Sequence, residues 1–281
     1  VSPANHSDFL VSLIHADRTE SIDQGHDGIG NNQGIPFKTD IFVKTKSYDL
    51  ETQYLFNSKY INTIAGFGVF HTDNLRITKS TRTETECPCI VPYNTNQYFG
   101  YLYSNIHLLN NLNITSGLSY DNYSSNDSGA SAKISELNPK FGIIWNINNY
   151  FSFRAAAFKS VKSAIVDNQT VQPTEISGFN QFFDDDNGTT AWQYGAGIDA
   201  QLSKNIKTGI EAYKRDLKIP NLNEIVNPSE ELYRFYFNWI PTNNLSVNTE
   251  FKHENYRGDS SFPIALETIY VPLEFRFFNP I

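Results

Sequence analysis

Between Trp192 and Arg215, apolar and polar residues alternate with period two, interrupted only by Ser203, Lys204 and Asn205. Trp192, Tyr194, Ala196, Ile198, Ala200 and Leu202 fall on one face, and Gln193, Gly195, Gly197, Asp199 and Gln201 on the other. Beyond the break, Ile206, Thr208, Ile210 and Ala212 continue the apolar face, while Lys207, Gly209, Glu211, Tyr213 and Arg215 continue the polar one. Such alternation puts side chains on opposite faces of a strand, so the stretch predicts a β-hairpin. Each arm is about ten residues long, more than the usual soluble strand and enough to cross a bilayer core at a tilt of about 45°. Two architectures fit: a soluble antiparallel sandwich, or a transmembrane barrel with its apolar side to lipid.

The same rhythm recurs along the chain and predicts about twelve strands. They cover residues 8–16, 48–56 with a start between 42 and 47, 60–71, 96–108, 112–121, 137–146, 150–159, 192–202, 206–215, 231–240, 245–256 and a last strand through 269–277. Short turns at Asn57, Asn110, Asn148, Lys204 and Asn243 alternate with long polar connections. Those connections, predicted as loops, are 17–38, 72–95, 122–136, 160–190, 216–229 and 257–266. Sandwiches do not sort their connections in this way, whereas outer-membrane barrels keep short turns in the periplasm and long loops outside. The sequence therefore predicts an all-β, antiparallel, up-and-down transmembrane β-barrel spanning 1–281, with both termini periplasmic. The opening VSPANHS has the composition of another short turn, which implies a strand before it. The expectation is that this chain is the C-terminal part of a barrel of about 14–16 strands.

Composition changes the picture only a little. The chain has 281 residues, and its mean hydropathy of −0.41 is too polar for a helical membrane protein. A barrel needs only every second residue apolar. No run of eighteen apolar residues and no signal peptide are evident. Met is absent, which is expected of a processed chain or a fragment. The net charge of −8 argues against a nucleic-acid partner. The 14% aromatic content suits interfacial girdles, for which Trp145, Trp192, Trp239 and Phe151 are placed at strand ends.

Candidate chemistry is sparse. The six histidines form no metalloprotease motif and show no nucleophile partner, so an enzyme is not expected. Cys87 and Cys89 flank a proline; they form either a strained loop-tip disulfide or two free or intermolecular thiols. Asp184, Asp185, Asp186 and Asn187 before Gly188 could hold Ca²⁺, but the distal bidentate Glu of an EF-hand is missing, and a solvated loop is the better reading. No metal site or cofactor is predicted. The residues expected to face the lumen carry both signs: Glu51, Asp199, Glu211, Glu250 and Glu274 against Lys140, Arg154, Lys207, Arg234, Lys252 and Arg276, with Gln53 among them. They suit a polar conduit tuned by charge rings, and equally a lumen packed with paired charges or closed by a plug.

The segments HSDFLVSLIHADR (6–18), LETQYLF (50–56), LNPKFGIIWN (137–146), QPTEISGFNQFFDDDNGTTAWQYGAGID (172–199) and KRDLKIP (214–220) resemble one bacterial outer-membrane group. Its members carry tetratricopeptide repeats ahead of a barrel similar to that of TonB-dependent receptors. The resemblance implies a periplasmic repeat domain and further strands. Expected surroundings are outer-membrane lipid and lipopolysaccharide, with the repeats or export machinery as partners. Since neither a TonB box nor a plug is visible, the expected function is a passive or export channel. The alternatives are a structural or adhesive surface protein acting through its loops, and a TonB-linked uptake receptor whose plug lies elsewhere.

Overall fold

A computed structural model of the chain describes residues 6–26, 37–80, 89–127, 132–162, 170–183, 185–221, 224–242, 244–259 and 264–277. Seven strands open the fold as a meander: β1 (Ser7–His26), β2 (Phe37–Asn57), β3 (Ile61–Ser80), β4 (Cys89–Leu109), β5 (Leu112–Ser125), β6 (Ala132–Asn146) and β7 (Phe151–Val161). A small hairpin of β8 (Glu175–Ile176) and β9 (Phe179–Asn180) follows, outside the main sheet. The meander resumes with β10 (Thr190–Ser203), β11 (Ile206–Asn221), β13 (Ser229–Thr242) and β14 (Leu245–Arg257). β12 (Glu224–Val226) is a short return paired to β11. β15 (Ala265–Tyr270) and β16 (Leu273–Phe277) both pair with β14.

β15 and β16 are one strand in unbroken register. Lys252 lies opposite Tyr270 and Thr249 opposite Leu273, the same distance along both strands. The gap falls at Pro272, which has no N–H to give to the ladder. Its carbonyl still accepts from the Glu250 N–H at 3.4 Å and from Thr249 Oγ1 at 3.0 Å. The fold is thus twelve antiparallel up-and-down strands, in the order the alternation predicts. Among the described residues, β1 and the β15–β16 strand each have a neighbour on one side only.

The two faces differ as a membrane barrel requires. Leu13 (81% exposed), Leu102 (51%), Phe141 (53%) and Ile210 (55%) point outward, and among the described residues no second sheet covers them. The opposite face holds the core, centred on Phe70, Phe99, Tyr101, Tyr103 and Phe158. A sandwich would bury the first set, so the barrel reading stands.

Strand length departs from the sequence reading. β1 to β4 are 20, 21, 20 and 21 residues long. At about 3.3 Å per residue and a tilt of about 45°, roughly eleven residues cross a 25 Å apolar band. The far halves of these strands therefore stand beyond the membrane. Much of what was expected as loop at 17–38, 72–95, 122–136 and 216–229 is strand instead. No lipid covers the outer face there, so the strict alternation of apolar with polar is lost while backbone pairing continues. The short connections, two to four residues each, fall where the Asn- and Lys-centred turns were placed.

Candidate functional site

The departure with most consequence is the longest predicted loop, 160–190. Its central part, 170–183, turns inward and lies along the core face of the sheet. The tip is a two-residue turn in which Ser177 (φ 51°) and Gly178 (φ 81°) both adopt positive φ, as a type I′ hairpin demands. Ile176 and Phe179 on either side of the turn are fully buried.

The wall is shaped to take the tip. A Cβ at Gly142 would sit 2.2 Å from Ser177 Oγ, and one at Gly195 would sit 2.5 Å from the Phe179 ring. The strands near the tip donate specific contacts. Ser177 Oγ lies 3.5 Å from Thr115 Oγ1. Arg154 Nη1 donates to the Gly178 carbonyl at 3.0 Å, and its guanidinium covers the Phe179 ring at 4.7 Å. Thr115 and Arg154 lie three residues from the ends of β5 and β7 at the short turns, so the hairpin reaches deep towards that end.

The arms are fastened to β2 and β4. Glu51 accepts from Thr170 Oγ1 at 2.9 Å and from the Val171 N–H at 3.0 Å. Gln53 donates to the Val171 carbonyl and, at 3.1 Å, to Tyr101. Tyr103 joins both arms, accepting from Gln172 Nε2 at 2.8 Å and meeting the Gln181 amide. Asp49, also buried on β2, has no hydrogen-bond partner on either carboxylate oxygen among the described residues.

Across the molecule the same face carries a ladder of charges. Arg154 pairs with Asp199 at 3.0 Å and with Glu211. Arg234 pairs with Glu211 at 3.2 Å and with Glu250 at 3.1 Å, while Lys252 lies 3.9 Å from Glu250 and 3.6 Å from Glu254. Tyr236 donates to Asp199. Arg154, Gly178, Asp199, Lys207, Arg234 and Glu250 contribute to the lining of a cavity of about 470 Å³ beside the hairpin tip. Arg154 and Arg234 each pair with carboxylates on other strands, and Lys252 lies between two carboxylates of its own strand, which is how charge is tolerated away from bulk water.

The residues expected to line the lumen thus divide into three groups. Glu51, Gln53 and Lys140 are buried; the Lys140 ammonium donates to the Lys159 carbonyl at 2.7 Å instead of facing open water. Arg154, Asp199, Glu211, Arg234, Glu250 and Lys252 form the ladder. Lys207 and Glu274 border the cavity, and Arg276 pairs with Glu274 at 2.8 Å in solvent. Trp145, Trp239 and Phe151 are exposed on the outer face next to short turns, and Trp192 is exposed at the far end of its strand. Cys89 is exposed, whereas Cys87, and with it the proposed bridge, lies outside the described residues. Asp184 does too; Asp185 pairs with Arg215, a different task from ligating a cation. Among the described residues no cluster of three metal-ligating side chains occurs.

Sequence reasoning missed the hairpin and its fastenings, Tyr103, Gln172 and Gln181. The available signal was a run of glycines on the inner face, Gly66, Gly68, Gly117, Gly142 and Gly195, each making room for a bulky neighbour. Above the membrane a smaller cluster holds β3, β4 and the end of β5 together. Arg76 pairs with Asp127 and covers the Tyr93 ring at 5.2 Å. Burial pushes the Tyr93 hydroxyl above its usual range, and the Asp127 carboxylate adds to the rise.

Residues 5–226 match the family model described as TonB dependent receptor-like, beta-barrel. No curated protein sequence matches the chain. Among solved structures, the chain is similar to the ferripyoverdine receptor of the Pseudomonas aeruginosa outer membrane, with TM-score 0.60 and 12% identity over 94% of this chain and 41% of the receptor. It is similar to the ferric yersiniabactin uptake receptor of Yersinia pestis, with TM-score 0.61 and 9% identity over 90% of this chain and 40% of the other. It is also similar to a ferric citrate transporter in its unliganded form, with TM-score 0.61 and 11% identity over 96% and 44%. At these identities the likeness is one of fold. The chain spans about two fifths of the length of the first two receptors.

Proposed function

The chain belongs to the TonB-dependent receptor-like β-barrel family, and from that footing we propose that it is the barrel part of an outer-membrane uptake receptor. The carrying observation is the filled inner face. A passive or export conduit, the function expected from the sequence, needs an open aqueous lumen. Here the β2–β10 side of that lumen is occupied by an aromatic core and a docked hairpin. Plugged lumens occur in the larger outer-membrane transporters, so the filled face favours the receptor alternative over the channel.

In this reading the twelve strands are completed by others into a closed barrel. Lipid supplies no hydrogen-bond partners, so the open edges of β1 and β15–β16 require strand neighbours. The periplasmic repeat domain implied by the resembling group is part of the proposal. So are periplasmic short turns and outward-facing long connections. Trp145, Trp239 and Phe151 then mark the inner interface and Trp192 the outer one.

The proposed ligand class is a ferric chelate, by extension from the named binding of the similar receptors. A cavity of about 400 Å³ at the long-connection end offers Phe183, Tyr213 and Tyr256 as first contacts. The test is accumulation of radiolabelled iron chelates by cells carrying or lacking the full-length protein. Uptake that depends on the protein and stops with a protonophore supports the receptor. Steady ion conductance by the purified full-length protein in planar bilayers, with no energised uptake, returns the assignment to a passive channel.

A further inference from the structure

We propose that residues 170–183 form an internal constriction: a hairpin built to sit inside the barrel, narrowing the lumen and confining passage to the charged cavity at its tip. The inference rests on the transport reading above but not on which ligand is carried.

Three independent features carry it. The first is the fit of the tip. Gly142 and Gly195 come from separate strands, and a side chain at either would collide with the hairpin. Those residues make sense only if the tip is seated there. The second is the spread of fastenings. Glu51 on β2, Tyr103 on β4, Thr115 on β5 and Arg154 on β7 each bind a different part of the segment. A loop resting by chance on a wall would not meet specific hydrogen-bond partners, three acceptors and one donor, on four strands. The third is the chemistry at the two sides of the hairpin. Towards β4 and β7 its Ile176 and Phe179 close an apolar core; beyond its tip the ionic cavity stays open.

The arrangement predicts what the passage selects. The cavity beside the tip places Arg154, Lys207 and Arg234 against Asp199, Glu250 and Glu274. A solute moving through it meets both signs at close range, which favours polar or zwitterionic groups and penalises bulky apolar ones. Arg154 is the positioning residue. Its Nη1 holds the tip carbonyl, its planar face covers the Phe179 ring, and Nε and Nη2 join the ladder through Asp199 and Glu211.

Two measurements on the full-length protein in its native membrane test the idea. In a background with Cys87 and Cys89 replaced by serine, the pair Ser177→Cys and Thr115→Cys is oxidised in intact cells. The parent hydroxyls are 3.5 Å apart, so a bridge is expected, read as a shift in non-reducing gel mobility of the heat-denatured protein. Two thiols that stay open to maleimide in the folded barrel overturn the proposal. Separately, Ile176→Ala with Phe179→Ala leaves the wall intact while loosening the seat. Folded double variant, verified by heat-modifiable mobility, is expected to make cells severalfold more sensitive to a large hydrophilic antibiotic. Unchanged sensitivity in folded protein overturns the proposal. If the double variant does not fold, the cross-link decides alone. A bridge and a permeability change without energised iron uptake remove the receptor assignment and leave the constriction standing.

Discussion

The β2–β7 side of the barrel and the β11–β14 side share one outer pattern and have opposite interiors. Outside, both present aliphatic and aromatic residues to lipid at every second position. Inside, β2–β7 places glycines beside Phe99, Tyr101 and Tyr103 and receives a hairpin, while β11–β14 places Glu211, Arg234, Glu250 and Lys252 around open space. The difference teaches that alternation sets only which face meets lipid. What fills the other face depends on side-chain volume and charge. Small inner residues invite packing, because a void forfeits contacts. Charged inner residues are covered where the packing brings a partner, as Glu51 is by Thr170 and Val171, and otherwise keep facing ions or water, with buried Asp49 the exception.

The largest effect expected to break this contrast is at the junction of the two sides. Arg154→Ala removes the cation between Asp199 and Glu211 and unfastens the hairpin tip. Breaking such a buried set costs about 3–5 kcal/mol, measurable by denaturant unfolding of the reconstituted barrel. Next is the shared outer face. Leu102→Arg puts a charge near the bilayer midplane on β4 and is expected to cost about 2–4 kcal/mol in lipid. A water-exposed sheet face would show little change, so a negligible cost removes the membrane face. A smaller effect sharpens the packing argument. Gly195→Ala overlaps the Phe179 ring and should cost about 1–3 kcal/mol. Gly100→Ala, whose Cβ would meet only the Gly66 carbonyl at 3.7 Å, is expected to be silent in the same titration. The smallest effect has the opposite sign. Asp49 is buried with neither oxygen hydrogen-bonded, so Asp49→Asn should stabilise the β2 side by about 1 kcal/mol. A loss of stability would mean that the carboxylate has a partner in the native membrane.

Much of the frame was legible in the sequence, and specific physics hid the rest. Each membrane-crossing strand has lipid on one face, so residues such as Ile198 and Ile210 recur every second position and announce themselves. The outer halves of β1 to β4 have no lipid against them, and Thr72, Asp73 and Asn74 carry no such signature although their backbone pairs with β2 and β4. The hairpin was hidden for another reason. Glu175 to Asn180 is too short for any period to show, and its position is fixed by residues far away in sequence, such as Thr115 and Arg154. The charge ladder was half legible. The residue types on the inner face were clear, but their pairing depends on register, which sets Glu211 opposite Arg234.

Pro272 has a consequence for how the seam of this barrel is made. Its carbonyl points to Glu250, so the donor it lacks would also have pointed at β14, and the ladder loses one bond on the side already joined. The row of amides on the opposite side, through Val271 and Leu273, is left whole. β1 contains no proline between Ser7 and His26, so its outer row is whole as well. The two rims of the sheet are therefore both ready to zip, and the strand that carries the interruption can still be closed by a neighbour without a gap facing lipid.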